Sequence, residues 1–192
     1  MDEQEKAVKF KLPDIKLPKL KLSAPLKTIL TLFIVAAVSA AALAGVNSLT
    51  AERISQNHKL EVERAVGSVL ANAEQTDDAL FTGEGGYAAI VAPIGYGGEI
   101  NMVVGVSAEG AVTGVSIIGM AETPGIGTKV AAQPFLEQYL GKHAGVTIGH
   151  GENTVDAISG ATVSSKAITK GVAEALTAVN AYIAGLDGGT NG

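Results

Sequence analysis

The chain contains no cysteine and no tryptophan, and only 4% of its 192 residues are aromatic. The absence of cysteine excludes disulfides, thiolate-bound zinc, cysteine-bound iron–sulfur clusters and thiol redox chemistry. The three histidines, His58, His143 and His150, are too scattered to predict a metal site. No strand–GxGxxG–helix run is found either, so a Rossmann dinucleotide site is not expected.

The formal net charge of −5 is distributed unevenly. The segment from Met1 to Lys27 has seven lysines and four acidic residues, whereas the rest of the chain carries a net charge of −8. An acidic domain binds nucleic acid poorly, because affinity for phosphates depends on lysine and arginine. We therefore expect no nucleic-acid partner.

A long uncharged segment extends from Thr28 to Ala51. Since about 20 apolar residues cross a bilayer, we predict a transmembrane helix over residues 26–49. The lysine-rich residues 1–25 then form a basic cytoplasmic tail, and everything after the helix lies on the periplasmic or extracellular side. This tail is either an orientation signal or a segment that contacts anionic lipid or a partner protein. A cleaved signal peptide is the alternative for the apolar segment, because Ala42-Leu43-Ala44 is a small-x-small site.

Beyond the membrane segment, the sequence predicts a helical stalk and a polar loop over residues 50–86, with the loop from Asn72 to Gly86, then a domain over 87–185 and a flexible tail over 186–192. Alternating apolar residues and glycine turns in the domain indicate antiparallel strands. They are expected at Tyr87–Ile94, Ile100–Ser107 and Val112–Ile118, with a further short strand at Val146–Ile148. A sheet with short connections and flanking helices is an α+β fold.

Two helices are expected in the domain. A short one should lie within Val130–Tyr139, opened by Pro134, with Phe135, Leu136 and Leu140 facing inward. A long one should follow Ser164 or Ser165 as its N-cap, because apolar residues recur there at helical spacing. These residues are Ile168, Val172, Leu176, Val179 and Ile183.

The segment Asp156-Ala157-Ile158-Ser159-Gly160-Ala161-Thr162 lies directly before this long helix. The free N–H groups at a helix N-terminus bind phosphate well, and Gly160 and Ala161 leave room for a ligand. A threonine hydroxyl is a poor nucleophile without an adjacent base or metal. Thr162 is therefore not predicted to be a catalytic nucleophile, and for the hydroxyls alone a Ser/Thr-rich turn that caps an ordinary helix is the alternative to a phosphate site.

The string Asp-x-x-Ser-Gly-Ala-Thr resembles the flavinylation motif of the covalent FMN-binding domain family. The resemblance implies that a flavin transferase joins the phosphate of one FMN to Thr162 through a phosphoester. It also implies that the transferase recognises Asp156, and that Ser159, Gly160, Ala161, Ser164 and Ser165 lie next to the cofactor.

A second segment, Glu122-Thr123-Pro124-Gly125-Ile126-Gly127, resembles the family's other signature loop. The resemblance implies that Glu122, Thr123, Gly125, Ile126 and Gly127 line the isoalloxazine site. Lys129 is a candidate for positive charge near the reduced flavin; a solvated lysine at a helix start is its alternative.

The family includes the G subunits of Rnf complexes, and this resemblance implies an electron-transfer subunit. The assembly would couple ferredoxin:NAD oxidoreduction to Na⁺ or H⁺ transport, and the partners would be its other membrane and peripheral subunits. Two alternatives remain open at this point. One is the C subunit of a sodium-translocating NADH:quinone reductase, and the other is a membrane-tethered flavinylated extracellular carrier or sensor module.

Overall fold

The computed structural model describes residues 24–188. The predicted basic tail up to residue 23 and the last four residues of the predicted flexible tail lie outside the described residues. The described chain divides into two units, residues 24–51 and residues 52–188.

Helix α1 spans Ala24–Val69, a length of 46 residues. All residues from 25 to 60 are exposed, including the apolar ones. Within residues 24–188, α1 is the one helix that is long and apolar enough to cross a membrane. The residues predicted as a helical stalk are helical as far as Val69, and their role as a stalk stays a prediction.

A five-stranded antiparallel sheet follows, with its strands ordered as they occur in the sequence. The last three strands confirm the predicted ones within a few residues, and the α+β class is confirmed with them. The strands are β1 (Glu74–Asp77), β2 (Leu80–Gly83), β3 (Gly86–Val91), β4 (Ile100–Ser107) and β5 (Val112–Met120).

The prediction of a loop from Asn72 to Gly86 is wrong, because β1 and β2 lie in that segment and extend the sheet. All four residues of β1 are exposed, so the strand has no buried face that would require alternating apolar residues. Its pairing with β2 is a tertiary feature that the local pattern does not show.

The sheet is covered on both faces, which explains why β4 is buried along most of its length. Met102, Val104 and Val106 belong to the main core, together with the apolar stripe of the last helix. Val103 points to the opposite face, where it packs with Ala65, Val66 and Leu70 at the end of α1. Alternate side chains of a strand point to opposite faces, so one strand serves two cores.

The segment after β5 is irregular. The single helix predicted within residues 130–139 is replaced by a 3-10 turn (Gly127–Ala131), helix α2 (Gln133–Leu136) and a second 3-10 turn (Glu137–Tyr139). Ala132 is extended, so the helix restarts with Pro134 in its first turn, where a missing N–H costs no hydrogen bond. Phe135 and Leu136 are buried as predicted, whereas Leu140 is half exposed because it lies beyond the second turn.

Two short parallel strands, β6 (Thr147–Ile148) and β7 (Thr154–Val155), precede the long helix α3 (Thr162–Gly188). The predicted stripe on α3 is largely confirmed, since Ile168, Val172, Leu176 and Val179 are fully buried. The predicted N-cap is wrong, because α3 already begins at Thr162. Thr162 therefore lies in the first turn of the helix and not ahead of it.

Candidate functional site

The turn between β7 and α3 is held by its own hydrogen bonds. The N–H of Ala161 donates to the carbonyl of Ile158 at 2.9 Å, and Gly160 has a positive φ of 81°. A φ in this region is favourable for glycine and costly for residues with a Cβ. The turn thus connects β7 to the first turn of α3.

Ser165 stabilises this turn through two hydrogen bonds. Its hydroxyl donates to the carbonyl of Ala161 at 2.9 Å and accepts the N–H of Ile158 at 3.1 Å. The side chain is fully buried. Ser165 is thereby engaged within the turn and does not line the cavity described next.

A cavity of about 480 Å³ lies between this turn and the loop that follows β5. Its size falls in the range of small-molecule sites. The two predicted segments, distant in sequence, therefore meet around one space. The predicted site residues that line it are Glu122, Thr123, Ile126, Gly127, Gly160, Ala161, Thr162 and Ser164.

Four predicted site residues do not line this cavity. Ser159, Gly125 and Lys129 are exposed, and Ser165 is buried within the turn. Asp156, the predicted transferase contact, is also exposed, and its carboxylate lies 3.7 Å from Nδ1 of His150. An exposed carboxylate is available to a second protein but not to a ligand inside the cavity.

Tyr96 and Val163 also line the cavity, and the sequence reasoning missed both. Tyr96 lies among the glycines of the β3–β4 connection, where the sequence pattern indicates only a turn. The signal that could have found it is the aromatic ring itself, because a large apolar side chain in a glycine turn has no core to fill. Val163 follows Thr162 directly and is half exposed.

Glu122 is the buried charged residue of the site, with 5% of its surface exposed. Its Oε1 accepts the N–H of Tyr96 at 2.8 Å and that of Gly97 at 3.2 Å, and its Oε2 accepts the hydroxyl of Ser164 at 2.7 Å. A buried carboxylate is costly unless hydrogen bonds replace its water. These three donors do so, and they join the β3–β4 connection, the loop after β5 and α3.

The hydroxyl of Thr162 is placed differently. Thr162 is exposed, and among residues 24–188 no hydrogen bond to its side chain is found. The backbone N–H groups of Thr162, Val163 and Ser164 belong to the first turn of α3, which leaves such groups without helical acceptors. A free hydroxyl and an electropositive helix end therefore share one wall of the cavity.

A larger cavity of about 790 Å³ lies along β5 and is also lined by the end of α1 and by the segment that contains α2. None of the predicted site residues lines it. Metal-ligating side chains do not cluster anywhere in the described residues, in groups large enough to hold an ion. The predicted site residues that line a cavity therefore line the smaller one.

Two family matches cover most of the chain. The FMN-binding domain family matches residues 95–177, which include both segments around the cavity. The RnfG N-terminal region family matches residues 25–69, which is nearly the whole of α1.

The chain is also similar to the G subunit of the Na⁺-translocating ferredoxin:NAD⁺ oxidoreductase complex of Acetobacterium woodii. The two are 33% identical over 178 residues, which cover 74% of this chain and 86% of the relative. The chain belongs to the RnfG family.

A second relative shows the same family over a shorter stretch. The G subunit of the proton-translocating ferredoxin:NAD⁺ oxidoreductase complex of Clostridium ljungdahlii is 39% identical over 95 residues, which cover 47% of this chain and 51% of the relative. Among solved structures, Shewanella oneidensis NqrC aligns with 62% of this chain and 73% of its own at 19% identity, with a TM-score of 0.48.

Two statements follow from the family matches and from the apolar helix. The apolar α1 makes the chain a membrane protein, and the folded unit contains an FMN-binding domain. Within that domain, both signature segments of the sequence border the same cavity.

Proposed function

We propose that this chain is an electron-transfer subunit that carries one FMN, covalently bound to Thr162, in a membrane complex. That complex couples ferredoxin:NAD oxidoreduction to ion translocation, as the names of its relatives describe. The observation that carries the proposal is the meeting of the two signature segments around one cavity, with the Thr162 hydroxyl on its wall.

The residues present fit an FMN. The first turn of α3 offers N–H groups and a partial positive charge to a phosphate, next to a hydroxyl that is not engaged elsewhere. Gly160 and Ala161 present little bulk on that side. Tyr96, Ile126 and Val163 supply apolar surface on the other parts of the cavity, which suits a flat aromatic ring.

Attachment requires a second enzyme. The described residues place no histidine or carboxylate in hydrogen-bond contact with Thr162, so nothing there removes its proton. In the proposed step a bond forms between Oγ1 of Thr162 and the phosphorus of FMN. The phosphoanhydride bond of an activated flavin nucleotide breaks, and the hydroxyl proton leaves with the released nucleotide. Exposed Asp156, a short distance along the same turn, is the proposed contact for this transferase.

The bound flavin would supply the redox chemistry, as cofactors generally do, while the protein orients it and tunes its surroundings. The residues that line the cavity would orient the flavin and set its surroundings. Lys129 is exposed, lies two residues after Gly127 of the cavity lining, and is the proposed candidate for the positive charge.

The proposed setting is a bilayer with the folded unit on the periplasmic or extracellular side. The lysine-rich segment before α1 favours a cytoplasmic N-terminus by the positive-inside rule. The partners would be the other membrane and peripheral subunits of an Rnf-type complex, and lipid would surround residues 26–49. The two relatives are named for different coupling ions, sodium and protons, so the proposal covers either ion.

The deciding experiment is flavin fluorescence of the denatured chain on a gel. The wild type, Thr162→Ala, Thr162→Ser and Thr177→Ala are expressed with an active flavin transferase. We expect a fluorescent wild-type band whose intact mass is higher by one FMN less one water, and a dark Thr162→Ala band. Thr177→Ala, an exposed threonine farther along α3, should stay fluorescent.

Thr162→Ser retains a hydroxyl at the same position and tests whether the transferase needs threonine itself. A dark wild-type band, with the transferase shown to be active on another substrate, would refute the covalent attachment. A fluorescent Thr162→Ala band would place the attachment on another residue.

A further inference from the structure

Three apolar side chains around the cavity are unusually exposed. Tyr96 is 74% exposed, Val163 is 52% exposed and Ile126 is 51% exposed, and all three line the same cavity. A single exposed apolar residue is ordinary, whereas a group of them around a concave site is typical of a binding surface. Each comes from a different segment, so the grouping is made by the tertiary structure.

Tyr96 is held in place through its backbone. Its N–H donates to Oε1 of Glu122 at 2.8 Å, and the next N–H, of Gly97, donates to the same oxygen at 3.2 Å. Hydrogen bonds to a charged acceptor are stronger than those between neutral groups. The carboxylate therefore fixes the backbone that carries the ring, while the ring itself stays free at the cavity.

The glycines on either side of Tyr96 make this contact possible. A Cβ on Gly95 would lie 2.0 Å from Oε1 of Glu122, and a Cβ on Gly97 would lie 2.0 Å from the carbonyl oxygen of Ala121. Neither distance is physically tolerable. The Gly-Tyr-Gly segment thus lets the backbone lie directly against the loop after β5, and the only side chain that it presents there is the aromatic one.

Glu122 also reaches the other side of the cavity. Its Oε2 accepts the hydroxyl of Ser164, two residues after Thr162 in the first turn of α3. A Cβ on Gly127 would lie 2.6 Å from this oxygen, so the carboxylate is tightly enclosed. With both oxygens occupied by protein donors, Glu122 has little capacity left for a ligand.

We propose that Tyr96 contacts the isoalloxazine ring of the FMN carried on Thr162, and that Glu122 is a positioning residue that acts through Tyr96. Tyr96, Ile126 and Val163 form an apolar clamp for the ring. This inference rests on the proposed covalent FMN. It assigns contact with the flavin ring to Tyr96, which lies outside both signature segments. It also assigns Glu122 the role of holding Tyr96, in place of the predicted direct contact with the flavin.

The test measures how far the tethered ring is docked in the native protein. Fluorescence anisotropy and iodide quenching of the bound flavin report on ring mobility and solvent access. An aromatic contact of ordinary strength shifts the ratio of docked to undocked ring about 2- to 13-fold, so Tyr96→Ala should lower anisotropy and increase iodide quenching accordingly. Tyr96→Phe keeps the ring and should stay close to wild type.

The role of Glu122 is tested by Glu122→Gln and Glu122→Ala. Glutamine retains a carbonyl oxygen for the two N–H groups, and its amide can donate to Ser164, so docking should be largely preserved. Alanine removes the acceptor and should undock the ring. Far-UV circular dichroism and the melting temperature show whether the variant is folded. If it is not, the two Tyr96 variants still decide the ring contact, and an undocked ring in Glu122→Gln would contradict the proposed hydrogen-bonding role of Glu122.

A double variant separates positioning from direct contact. If Glu122 acts through Tyr96, Glu122→Ala with Tyr96→Ala should undock the ring no further than the more severe single change. Additive effects would overturn the positioning role. Unchanged anisotropy and quenching in Tyr96→Ala would overturn ring contact and leave the clamp as a surface for a protein partner.

The denatured gel keeps this inference distinct from the proposed function. A fluorescent band with unaltered docking in Tyr96→Ala refutes the clamp alone. A dark wild-type band refutes the covalent flavin, and the clamp proposal with it.

Discussion

The two long helices, α1 and α3, are both rich in apolar residues, but they differ in how exposed those residues are. Residues 25–60 of α1 are exposed on every side, and the large apolar side chains of this part, such as Phe33 and Leu43, are 69% and 72% exposed. In α3 the apolar residues are confined to one stripe, of which Ile168, Val172 and Leu176 are fully buried. A helix that is apolar all round requires lipid, whereas one with a single stripe requires a protein core.

The threonine side chains of the two helices also differ in their hydrogen-bond partners. Thr31 and Thr50 in α1 donate to carbonyls four residues earlier in their own helix, at 2.8 and 2.9 Å. Buried Thr169 in α3 makes the same bond to Ser165 at 2.9 Å and also pairs with the hydroxyl of Tyr139 at 2.8 Å. Of these three threonines, only the one in the buried helix binds another element.

The largest expected effect comes from a charge in the apolar part of α1. Val38→Arg places a guanidinium near the middle of the proposed span, where insertion should cost about 2.5–3.5 kcal/mol. Leu60→Arg, on an exposed part of the same helix beyond the span, should change little. The measurement is membrane fractionation, combined with a reporter fused after Gly192 that should read out as external in the wild type.

Val38→Arg should reduce both the membrane fraction and the external signal. Equal membrane retention of Val38→Arg and wild type would contradict the assignment of α1 to lipid. A cytoplasmic reporter signal in the wild type would overturn the proposed orientation.

A smaller effect is expected from two glycines of α3. A Cβ on Gly171 would lie 2.7 Å from Cγ of Pro93 and 2.9 Å from Sδ of Met102, so Gly171→Ala should destabilise by about 1–3 kcal/mol through overpacking. Gly185 has nothing within 4 Å, so Gly185→Ala should stabilise by about 0.5–1 kcal/mol, because alanine favours helix. Urea unfolding of the folded unit would reveal the opposite signs, and equal effects would contradict the packing of α3 on the sheet.

The smallest effect concerns alkaline pH. Burial raises the pKa of Tyr139 to about 12, although its hydrogen bond with Thr169 acts in the opposite direction. Because an unfolded tyrosine titrates near pH 10, the stabilisation is complete below about pH 10 and is lost as the pH rises towards about 12. From about pH 9 to 11 the loss attributable to this residue is about 1.4 kcal/mol.

Tyr139→Phe should remove that part of the pH dependence, at a cost of about 1 kcal/mol at neutral pH for the lost hydrogen bond. Thr169 retains its bond to Ser165, so no buried hydroxyl is left unpaired. Urea midpoints of both proteins across this pH range are the measurement. Parallel curves for wild type and Tyr139→Phe would refute the assignment.

Local patterns were sufficient for the parts of the fold that repeat along the chain. The strands β3 to β5 and the stripe of α3 alternate or recur at the period of their element, and both were predicted closely. The polar strand β1 is not recognisable in the sequence because all of its residues are exposed. The start of α3 is predicted too late, because two serines resemble N-cap residues. Ser164 and Ser165 look like N-caps in sequence, yet they bind Glu122 and the preceding turn.

The candidate site, too, could be predicted from local sequence patterns only in part. Thr162, Gly160, Glu122 and Gly127 were recognisable because each belongs to a short motif whose chemistry is local. Tyr96 belongs to no motif, and its position depends on a carboxylate 26 residues later in the chain. A contact of this kind leaves no periodic trace in either segment.

The sequence by itself determined which segment is apolar enough to cross a membrane and where three neighbouring strands of the sheet lie, because these follow from composition and periodicity. The proposal that Thr162 is modified follows from its resemblance to a family motif. Only the tertiary structure decided that two motifs share one cavity, that Ser165 forms hydrogen bonds within the turn and that Glu122 accepts the N–H of Tyr96. The physical reason is that a buried carboxylate must find donors wherever the fold brings them, and their identity is a property of packing rather than of neighbouring residues.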